Sequence, residues 1–454
     1  MMRRILIVVC ISAVLTGCLV GPNYKRPDVA APPQFRGGEP QPSQASLGNT
    51  KWFDLFQDET LRGLINDALQ ANYDVQIAAQ RVLESQGQLT ATRSALFPQV
   101  DAQVAAARTG LNGPIESTAG AGGAASWEID LFGKLRRATE AARANLLSTE
   151  DNQKAVLQAL VAQVASAYFD LREYDAELEI VRASIDTRQE SVRLVVAREE
   201  GGVGDLLDVD QAKTLVQSAQ AQVALLEKAQ QQTENLISFL LAKPPGPVAR
   251  GKSLVEQPQP PEVPAGIPSA LLERRPDLQS AEQQLVAANA QVGVAKAAFF
   301  PSITLTATGG VQSSALLGVI TRAGSAYTLG GLVDLPIFDA GRRSANYKIA
   351  KAQYQEFLIG YRKAIDGAFQ DVSDALVGYQ KNREYTSRES LLTETLRDQT
   401  RLANQRYAGG VSSYLEVLDS ERERLTAEQD LAQARRDVLT SLVQLYKALG
   451  GGWQ

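Results

Sequence analysis

Residues 157–195 read LQALVAQVASAYFDLREYDAELEIVRASIDTRQESVRLV. Apolar side chains occupy every seventh position, and a second apolar series follows three residues behind the first, with Arg188 as its charged exception. The two series are Leu157, Val164, Leu171, Leu178, Ile185 and Val192, and Leu160, Ala167, Tyr174, Val181 and Val195. A seven-residue apolar repeat of this kind predicts a long helix that packs along its length in a left-handed supercoil.

The predicted helix extends well beyond this stretch. After Gly133 the chain contains neither proline nor glycine for 66 residues, up to Glu199. That run predicts a helix on the order of 100 Å long. The same seven-residue spacing returns near the end of the chain at Leu418, Leu425, Ala432, Leu439 and Tyr446. Helices this long exceed those of ordinary globular domains, so we expect them to pack side by side.

Three landmarks occur twice, in the same order, which predicts an internal duplication. They are Asn72-Tyr73-Asp74 to Leu96-Phe97-Pro98 and Arg275-Pro276-Asp277 to Phe299-Phe300-Pro301; Phe132 to Arg136-Arg137 and Phe338 to Arg342-Arg343; and Arg198-x-x-x-Gly202-Val203-Gly204 and Arg406-x-x-x-Gly410-Val411-Ser412. We predict a first repeat over 51–242 and a second over 269–454, each containing a helix, two strands and two long helices. The segment 243–268, with eight prolines, is the predicted linker.

Four segments alternate apolar and polar residues, as strands with one apolar face do. They are Gln99–Arg108, Ala125–Phe132, Ile303–Thr308 and Tyr327–Ile337. Alternation alone fits both a membrane barrel and a half-buried soluble sheet. A closed membrane barrel needs at least about eight strands, and lipid does not tolerate an open sheet edge. If the strands lie in a membrane, several chains must therefore close one barrel, and their long helices would form a tube beneath it.

Composition argues against enzyme and nucleic-acid functions. The chain has 46 basic and 51 acidic residues, a net charge of −5, and no histidine. It therefore lacks the basic surface of a nucleic-acid binder, and no catalytic, metal or cofactor constellation is recognisable. Gly246–Ser253 fits the phosphate-loop pattern GxxxxGK[ST], but the prolines around it exclude the strand and helix that the motif needs. We predict a protein that is not an enzyme and binds no cofactor.

The first residues resemble the signal peptide of a bacterial lipoprotein. Arg3 and Arg4 precede the short apolar run Ile5–Leu15, and Leu15-Thr16-Gly17-Cys18 resembles a lipobox. We predict a signal peptide at 1–17, lipid attachment at Cys18 (including a palmitate chain), and an extended arm over 18–50. Leu19 after the cysteine favours sorting to the outer membrane.

Taken together, the motifs resemble TolC-type outer-membrane efflux channels, in the lipoprotein branch that serves resistance-nodulation-division pumps. The resemblance covers nearly the whole mature chain and is carried by Cys18-Leu19-Val20-Gly21-Pro22-Asn23-Tyr24-Lys25-Arg26-Pro27, Trp52-Phe53-Asp54-Leu55-Phe56-Gln57-Asp58, Leu61 to Ala71-Asn72-Tyr73-Asp74, Glu273-Arg274-Arg275-Pro276-Asp277-Leu278 and Phe300-Pro301. It implies a mixed α and β membrane protein: a homotrimer with a twelve-stranded β-barrel, four strands per chain, above a periplasmic α-helical coiled-coil barrel. It also implies an inner-membrane pump and a periplasmic adaptor as partners in multidrug efflux.

The resemblance implies two functional regions. Two turns at the far periplasmic end would contact the adaptor; they contain Arg198, Gly202, Val203 and Gly204, and Arg406, Gly410, Val411 and Ser412. A pore constriction would contain Leu415, Glu416, Asp419 and Arg422. The turns could instead be plain helix ends, and the charges a solvated coiled-coil flank. An exit duct for polypeptides and a structural lipoprotein that only spans the periplasm remain alternative functions.

Overall fold

The computed structural model describes residues 19–29, 31–37, 46–110, 116–257, 264, 266–314, 319 and 324–453. The helices are α1 Trp52–Leu55, α2 Glu59–Ala71, α3 Tyr73–Ser94, α4 Lys134–Glu200, α5 Leu206–Leu240, α6 Leu271–Arg274, α7 Pro276–Ala297, α8 Arg342–Ala408 and α9 Tyr414–Ala448. The strands are β1 Gln99–Thr109, β2 Glu116–Ile129, β3 Ser302–Ser313 and β4 Gly324–Asp334. Single 3-10 turns lie at Leu47–Asn49 and Pro268–Ala270.

The duplication is visible in the helix lengths. Helices α4 and α8 have 67 residues each, α5 and α9 have 35 each, and α3 and α7 have 22 each. The long helix predicted after Gly133 is confirmed as α4. Among the described residues, no helix combines the length and the apolar character needed to cross a lipid bilayer.

The seven-residue repeat faces the helical core. Val164, Leu171 and Val181 are completely buried on α4, and the five repeat positions of α9 are all buried. One core cluster joins Leu178 and Val181 of α4 to Ala219 and Leu226 of α5 and to Leu425 of α9. Burial of these apolar faces, at about 25 cal/mol per Å² of apolar surface, stabilises the helix packing.

The four strands form one antiparallel sheet in the order β1-β2-β3-β4. Strand β2 begins at Glu116, nine residues before the predicted start at Ala125, because its first half consists of small residues in which alternation is invisible. Strands β2 and β4 also end earlier than predicted, at Ile129 and Asp334. In β4 the reason is Pro336, which has no N–H to donate to a ladder.

The chain divides into two compact units, and four of the five division points fall within helices. One unit contains the sheet, formed by Gln80–Asp151 and Leu278–Ala364 with the N-terminal arm through Val29. The other is helical, formed by Ala30–Ala79, Asn152–Asp277 and Ile365–Gln454.

The N-terminal arm docks onto the sheet unit through a buried arginine. The Arg137 guanidinium donates to Oδ1 of Asn23 at 2.7 Å and to the carbonyl of Val20 at 3.4 Å, and forms an ion pair with Glu140 at 2.7 Å. The amide of Val20 donates to the carbonyl of Phe132 at 3.2 Å. These bonds hold the start of the arm beside the loop between β2 and α4.

The phosphate-loop-like segment is a structural contact with an aspartate. The amide of Lys252 donates to Oδ2 of Asp58 at 3.0 Å, and Tyr168 donates its hydroxyl to the same oxygen at 2.8 Å. The amide of Gly251 donates to the Tyr168 hydroxyl at 2.9 Å. Burial alone would raise the pKa of Asp58, but the hydrogen bonds from Gln257, Tyr168 and backbone amides outweigh it and lower the pKa. These amides therefore face a carboxylate rather than an open anion site.

Candidate functional site

The turn between α4 and α5 is a Schellman C-cap. Gly202 has a φ of +75°, a conformation that glycine adopts without a steric penalty. Its amide donates to the carbonyl of Glu199 at 2.8 Å, and the amide of Val203 donates to the carbonyl of Arg198 at 3.0 Å. This pair of bonds satisfies the last carbonyls of α4 and reverses the chain. Gly204 follows, too close to the Glu199 backbone for a side chain.

The turn between α8 and α9 repeats this geometry. Gly410 has a φ of +73°, its amide donates to the carbonyl of Tyr407 at 2.9 Å, and the amide of Val411 donates to the carbonyl of Arg406 at 3.0 Å. Ser412 stands where the first turn has Gly204, and its hydroxyl is buried without a hydrogen-bond partner among the described residues. We call the two turns, 198–204 and 406–412, the tips.

Both tips present apolar side chains to solvent. Val203 is 71% exposed and Val411 is 67% exposed, whereas a valine after a Schellman turn commonly packs back on its own helix. The space where a side chain would begin at Gly202 and Gly410 is also open. Each tip therefore offers a small, open, partly apolar surface.

An arginine joins the two tips. The guanidinium of Arg198 lies 4.7 Å from the ring centroid of Tyr407 and donates to its carbonyl at 3.3 Å. The Tyr407 ring packs in turn on Tyr414, with centroids 5.2 Å apart. Burial raises the pKa values of both tyrosines, so both stay neutral at physiological pH. The repeated turn motif predicts that Arg198 lies at a tip, but nothing in the sequence indicates these tyrosines as its partners.

The four predicted constriction residues all lie on the exposed side of α9. Leu415, Asp419 and Arg422 share one helix face, as their spacing predicts, and all three side chains are exposed in the single chain. Glu416 lies beside this face and forms an ion pair with Arg406 at 3.5 Å. Both partners are more than half exposed, so the pair adds at most about 1 kcal/mol.

Arg188, the charged exception in the α4 repeat, has a buried partner. Arg188 and Glu421 are 4% and 1% exposed, and Nε of Arg188 lies 3.8 Å from the Glu421 carboxylate. A guanidinium N–H of Arg188 also donates to the carbonyl of Leu215 at 3.0 Å. Burial raises the pKa of Glu421, against the opposing effect of Arg188 and Arg424. The charged residue at an apolar repeat position drew attention to Arg188, but the sequence did not indicate Glu421 as its partner.

A group of carboxylates from α4 and α9 surrounds Arg436 of α9, at a point of α4 that precedes Arg188. Arg436 of α9 donates to Glu173 at 2.6 Å and lies 3.5 Å from Asp170 and 2.9 Å from Asp437. Glu177 lies one helix turn beyond Glu173. Burial, and then the nearby Glu173, raise the pKa of Glu177 from 4.5 to about 7, and the Arg436 charge only partly opposes them.

Comparison with known proteins places the chain in a family. Residues 64–243 and 267–451 match the family described as outer membrane efflux protein. The chain belongs to the outer membrane efflux protein family. The two matched segments correspond to the two repeats, and the predicted resemblance is confirmed.

Relatives and solved structures support the same assignment. The chain is 37% identical over 455 residues to the solvent efflux pump outer membrane protein SrpC of Pseudomonas putida, covering 97% of this chain and 96% of the relative. It is 34% identical to the cation efflux system protein CusC of Escherichia coli, covering 98% of each. The open state of the Neisseria gonorrhoeae MtrE outer membrane channel superposes with a TM-score of 0.88 at 31% identity, covering 96% of this chain and 99% of that chain.

These comparisons confirm the predicted fold class and the function of an outer-membrane channel in an efflux system. The family places this efflux protein at the outer membrane. Cys18, the predicted lipidation site, lies outside the described residues. The roles of the tip and constriction residues remain predictions.

Proposed function

We propose that this efflux protein assembles as a homotrimer and forms a passive exit duct for small molecules. The observation that carries the proposal is a four-stranded sheet with two open edges in a chain that also has two 67-residue helices. Three copies would supply twelve strands, enough to close a barrel without exposing backbone groups to lipid. The same threefold arrangement would wrap the long helices around a continuous channel.

The energy for export would come from an inner-membrane pump of the resistance-nodulation-division class, through a periplasmic adaptor. The two tips would bind the adaptor. Their open glycines and exposed Val203 and Val411 support this role, because a small apolar patch allows close approach of a partner helix hairpin. The Arg198–Tyr407 contact would make the two tips of one chain respond to the adaptor together.

The resting duct would be narrowest at Leu415, Glu416, Asp419 and Arg422. Three copies of Glu416 and Asp419 would bring six carboxylates together. Arg406 would partly neutralise Glu416, and Arg422 would oppose Asp419. Such a ring of charge would favour cations at the constriction.

The lipid attached to Cys18 would hold the start of the arm at the membrane surface. Val20 and Asn23 are fixed beside the loop between β2 and α4, where strand gives way to helix. A lipid anchor beside this junction argues that the barrel ends at the depth of the membrane surface. SrpC is named for solvents and CusC for cations, and the small size of both kinds of cargo supports small molecules as the substrate class.

Dye accumulation in cells that lack this chain, before and after its restoration, tests the proposal. We expect loss of the chain to raise accumulation and restoration to reverse it. Gly202→Trp or Gly410→Trp should prevent the reversal while trimers still form, because the bulky side chain would block the adaptor. Gly202→Ala carries the same backbone strain without the bulk and should restore export. Gly63→Trp, at an open glycine of α2 outside the tips, is the matched control.

Unchanged dye accumulation on loss of the chain would contradict the efflux role. Normal export by both tryptophan variants would contradict the tip assignment alone.

A further inference from the structure

Two pairs of glycines lie side by side in the middle of the sheet. Gly122 of β2 is opposite Gly310 of β3, and Gly123 is opposite Gly309. Successive residues of a strand point to opposite faces, so the first pair belongs to one face of the sheet and the second pair to the other. The two pairs therefore allow the space on the two faces to be compared at one place.

The space for a side chain differs between the two pairs. A Cβ atom at Gly310 would lie 2.6 Å from the carbonyl oxygen of Ala121, and one at Gly122 would lie 2.9 Å from the carbonyl oxygen of Gly309. Both distances are well inside van der Waals contact. A Cβ atom at Gly309 would meet no atom within 4 Å, and one at Gly123 would meet a single atom at 3.6 Å. One face is thus crowded and the other is open.

Bending of the sheet explains the difference. Side chains converge on the concave face of a bent sheet and diverge on its convex face, and glycine is favoured where a strand bends or another backbone comes close. A cavity of about 440 Å³ lies over this part of the sheet and is lined by all four strands. Strand β1 contributes only Gln103, Ala105 and Ala107 to it, which share the face of Gly122. The sheet is therefore concave on the face of Gly122 and Gly310.

The chemistry of the two faces differs in the same sense. The convex face carries large apolar side chains that are exposed in the single chain, among them Val100, Val104, Tyr327 and Leu329. The concave face carries small and polar residues instead: Gln103, Ala105, Ala124, Thr306, Thr308, Ala326 and Thr328. In a membrane barrel the first set suits contact with lipid, and the second suits a lumen that contains water.

We propose that the concave face lines the duct, and that Gly122 and Gly310 permit the curvature with which the sheet closes. Three sheets that share one barrel must each turn through about 120° of its circumference. A side chain at either glycine would push β2 and β3 apart on the inner side and flatten the sheet. The inference rests on the proposed trimer and names the residues on which closure of its barrel depends.

The middle of the concave face is also free of charge. Two rows that cross all four strands contain only uncharged residues: Gln103, Gly122, Gly310 and Ala326, and Ala105, Gly120, Gln312 and Gly324. The carboxylates Asp101, Glu128 and Asp334 lie on the same face but in rows nearer the helices. This band of the duct would therefore admit cargo of either charge, and selection by charge would take place at the proposed constriction.

Glycine substitutions in the full-length lipoprotein test the curvature. Gly310→Ala and Gly122→Ala add a methyl group on the crowded face, and we expect each to lose most of the heat-resistant trimer seen on gels of detergent extracts. Gly309→Ala and Gly123→Ala add the same methyl group on the open face and should keep the wild-type yield. Helical circular dichroism should stay near wild type in all four variants, because the changes lie in the sheet.

Equal trimer yields in the four variants, whether normal or reduced, would overturn the role of the concave glycines. Absence of trimers from the wild-type chain would contradict the proposed function instead.

Thiol labelling tests which face lines the duct, since the predicted mature chain has no cysteine besides Cys18. Thr308→Cys lies on the concave face, and Ala307→Cys lies next to it on the convex face. In trimers reconstituted into phosphatidylcholine vesicles, a membrane-impermeant methanethiosulfonate should modify Thr308→Cys at least tenfold faster than Ala307→Cys. Similar rates at the two positions, or no reaction at Thr308→Cys, would overturn the assignment of the concave face to the duct.

The uncharged band has its own test at Gln312→Cys. Cationic and anionic methanethiosulfonates of matched size should react there at rates within about threefold of each other, after correction for their rates with a free thiol. The measurement is made at 0.15 M salt, where charges more than about 8 Å away are largely screened. A tenfold preference for either reagent would contradict an uncharged wall and leave the curvature assignment standing.

Discussion

A charged side chain that is buried between apolar helix faces lowers stability strongly unless an opposite charge lies beside it. Nε of Arg188 lies 3.8 Å from the Glu421 carboxylate, too far for a well-formed hydrogen bond between the two charges. With such loose geometry the attraction only partly compensates for the loss of hydration. The pair therefore contributes more to the alignment of α4 with α9 than to net stability.

Breaking this pair should loosen the helices near the tips. Arg188→Met removes the arginine with the larger effect on the buried Glu421 and leaves Arg424 as the remaining one, so we expect a cost of at most about 3–5 kcal/mol. Arg188→Met combined with Glu421→Leu should recover most of that loss, because both positions are then apolar. Hydrogen exchange of the backbone amides around 185–195 and 415–425 measures the local opening. Equal protection in the single and double variants would contradict a charge effect.

Glu177 should make stability depend on pH near neutrality. Its pKa is raised to about 7 by burial and by Glu173, with Asp430 adding to Glu173 and Arg436 opposing them. Between pH 4.5 and 7 the folded chain therefore holds a proton that the unfolded chain has lost. The free energy of unfolding should fall as pH rises through this window and level off above about pH 7.

Glu177→Gln removes the titrating group and should flatten this pH dependence, with the largest stabilisation above pH 7. Thermal unfolding of the trimer from pH 5 to 8.5 is the measurement. Glu179→Gln, at an exposed position two residues further along α4, should keep the wild-type slope. A slope that survives in Glu177→Gln would assign the titration to another group.

At the scale of elements, one carboxylate joins the start of α2 to the segment between the repeats. Asp58 precedes α2, where it also caps the helix by accepting from the amide of Thr60 at 2.9 Å. The same side chain accepts from Lys252 and Gln257 of the segment between the repeats, both at 3.0 Å. Asp58 thus caps the N-terminus of α2 and also hydrogen-bonds to the segment that follows the first repeat.

Asp58→Ala should release this segment. The amide of Lys252 and the hydroxyl of Tyr168 lose their acceptor, at a cost of about 1–3 kcal/mol for each group that stays buried. Limited proteolysis should then cut near 251–257. Lys252→Ala keeps the backbone amide and should be as resistant as wild type, whereas a nucleotide-binding lysine would be needed for function. Loss of efflux in Lys252→Ala would contradict the structural interpretation.

At the scale of the whole molecule, the proposed constriction predicts how the duct conducts ions. Glu416→Ala with Asp419→Ala removes six carboxylates from the trimer. We expect higher resting conductance and weaker block by divalent cations in planar bilayers. The reason is that the variant loses the carboxylates that repel one another and bind cations at the narrowest point. Glu394→Ala, at an exposed position of α8, is the control and should leave both quantities unchanged. Currents identical to wild type in the double variant would place the constriction elsewhere.

The sequence alone predicts the features that depend on local repetition. The seven-residue spacing and the absence of proline and glycine predict α4 within one residue of its observed ends. The repeated landmarks predict the second copy, and Gly202 and Gly410 predict the two turns. Helix length, turn position and apolar faces follow from neighbours along the chain, so they can be derived before any fold is known.

Only the tertiary structure reveals which distant residues meet. Arg188 with Glu421, Arg198 with Tyr407, and Arg137 with the N-terminal arm all join segments more than 100 residues apart. Small residues likewise concealed the first half of β2, since alanine and glycine carry too little side chain to show an alternating pattern. Such contacts depend on packing between elements, which periodicity along one element does not encode.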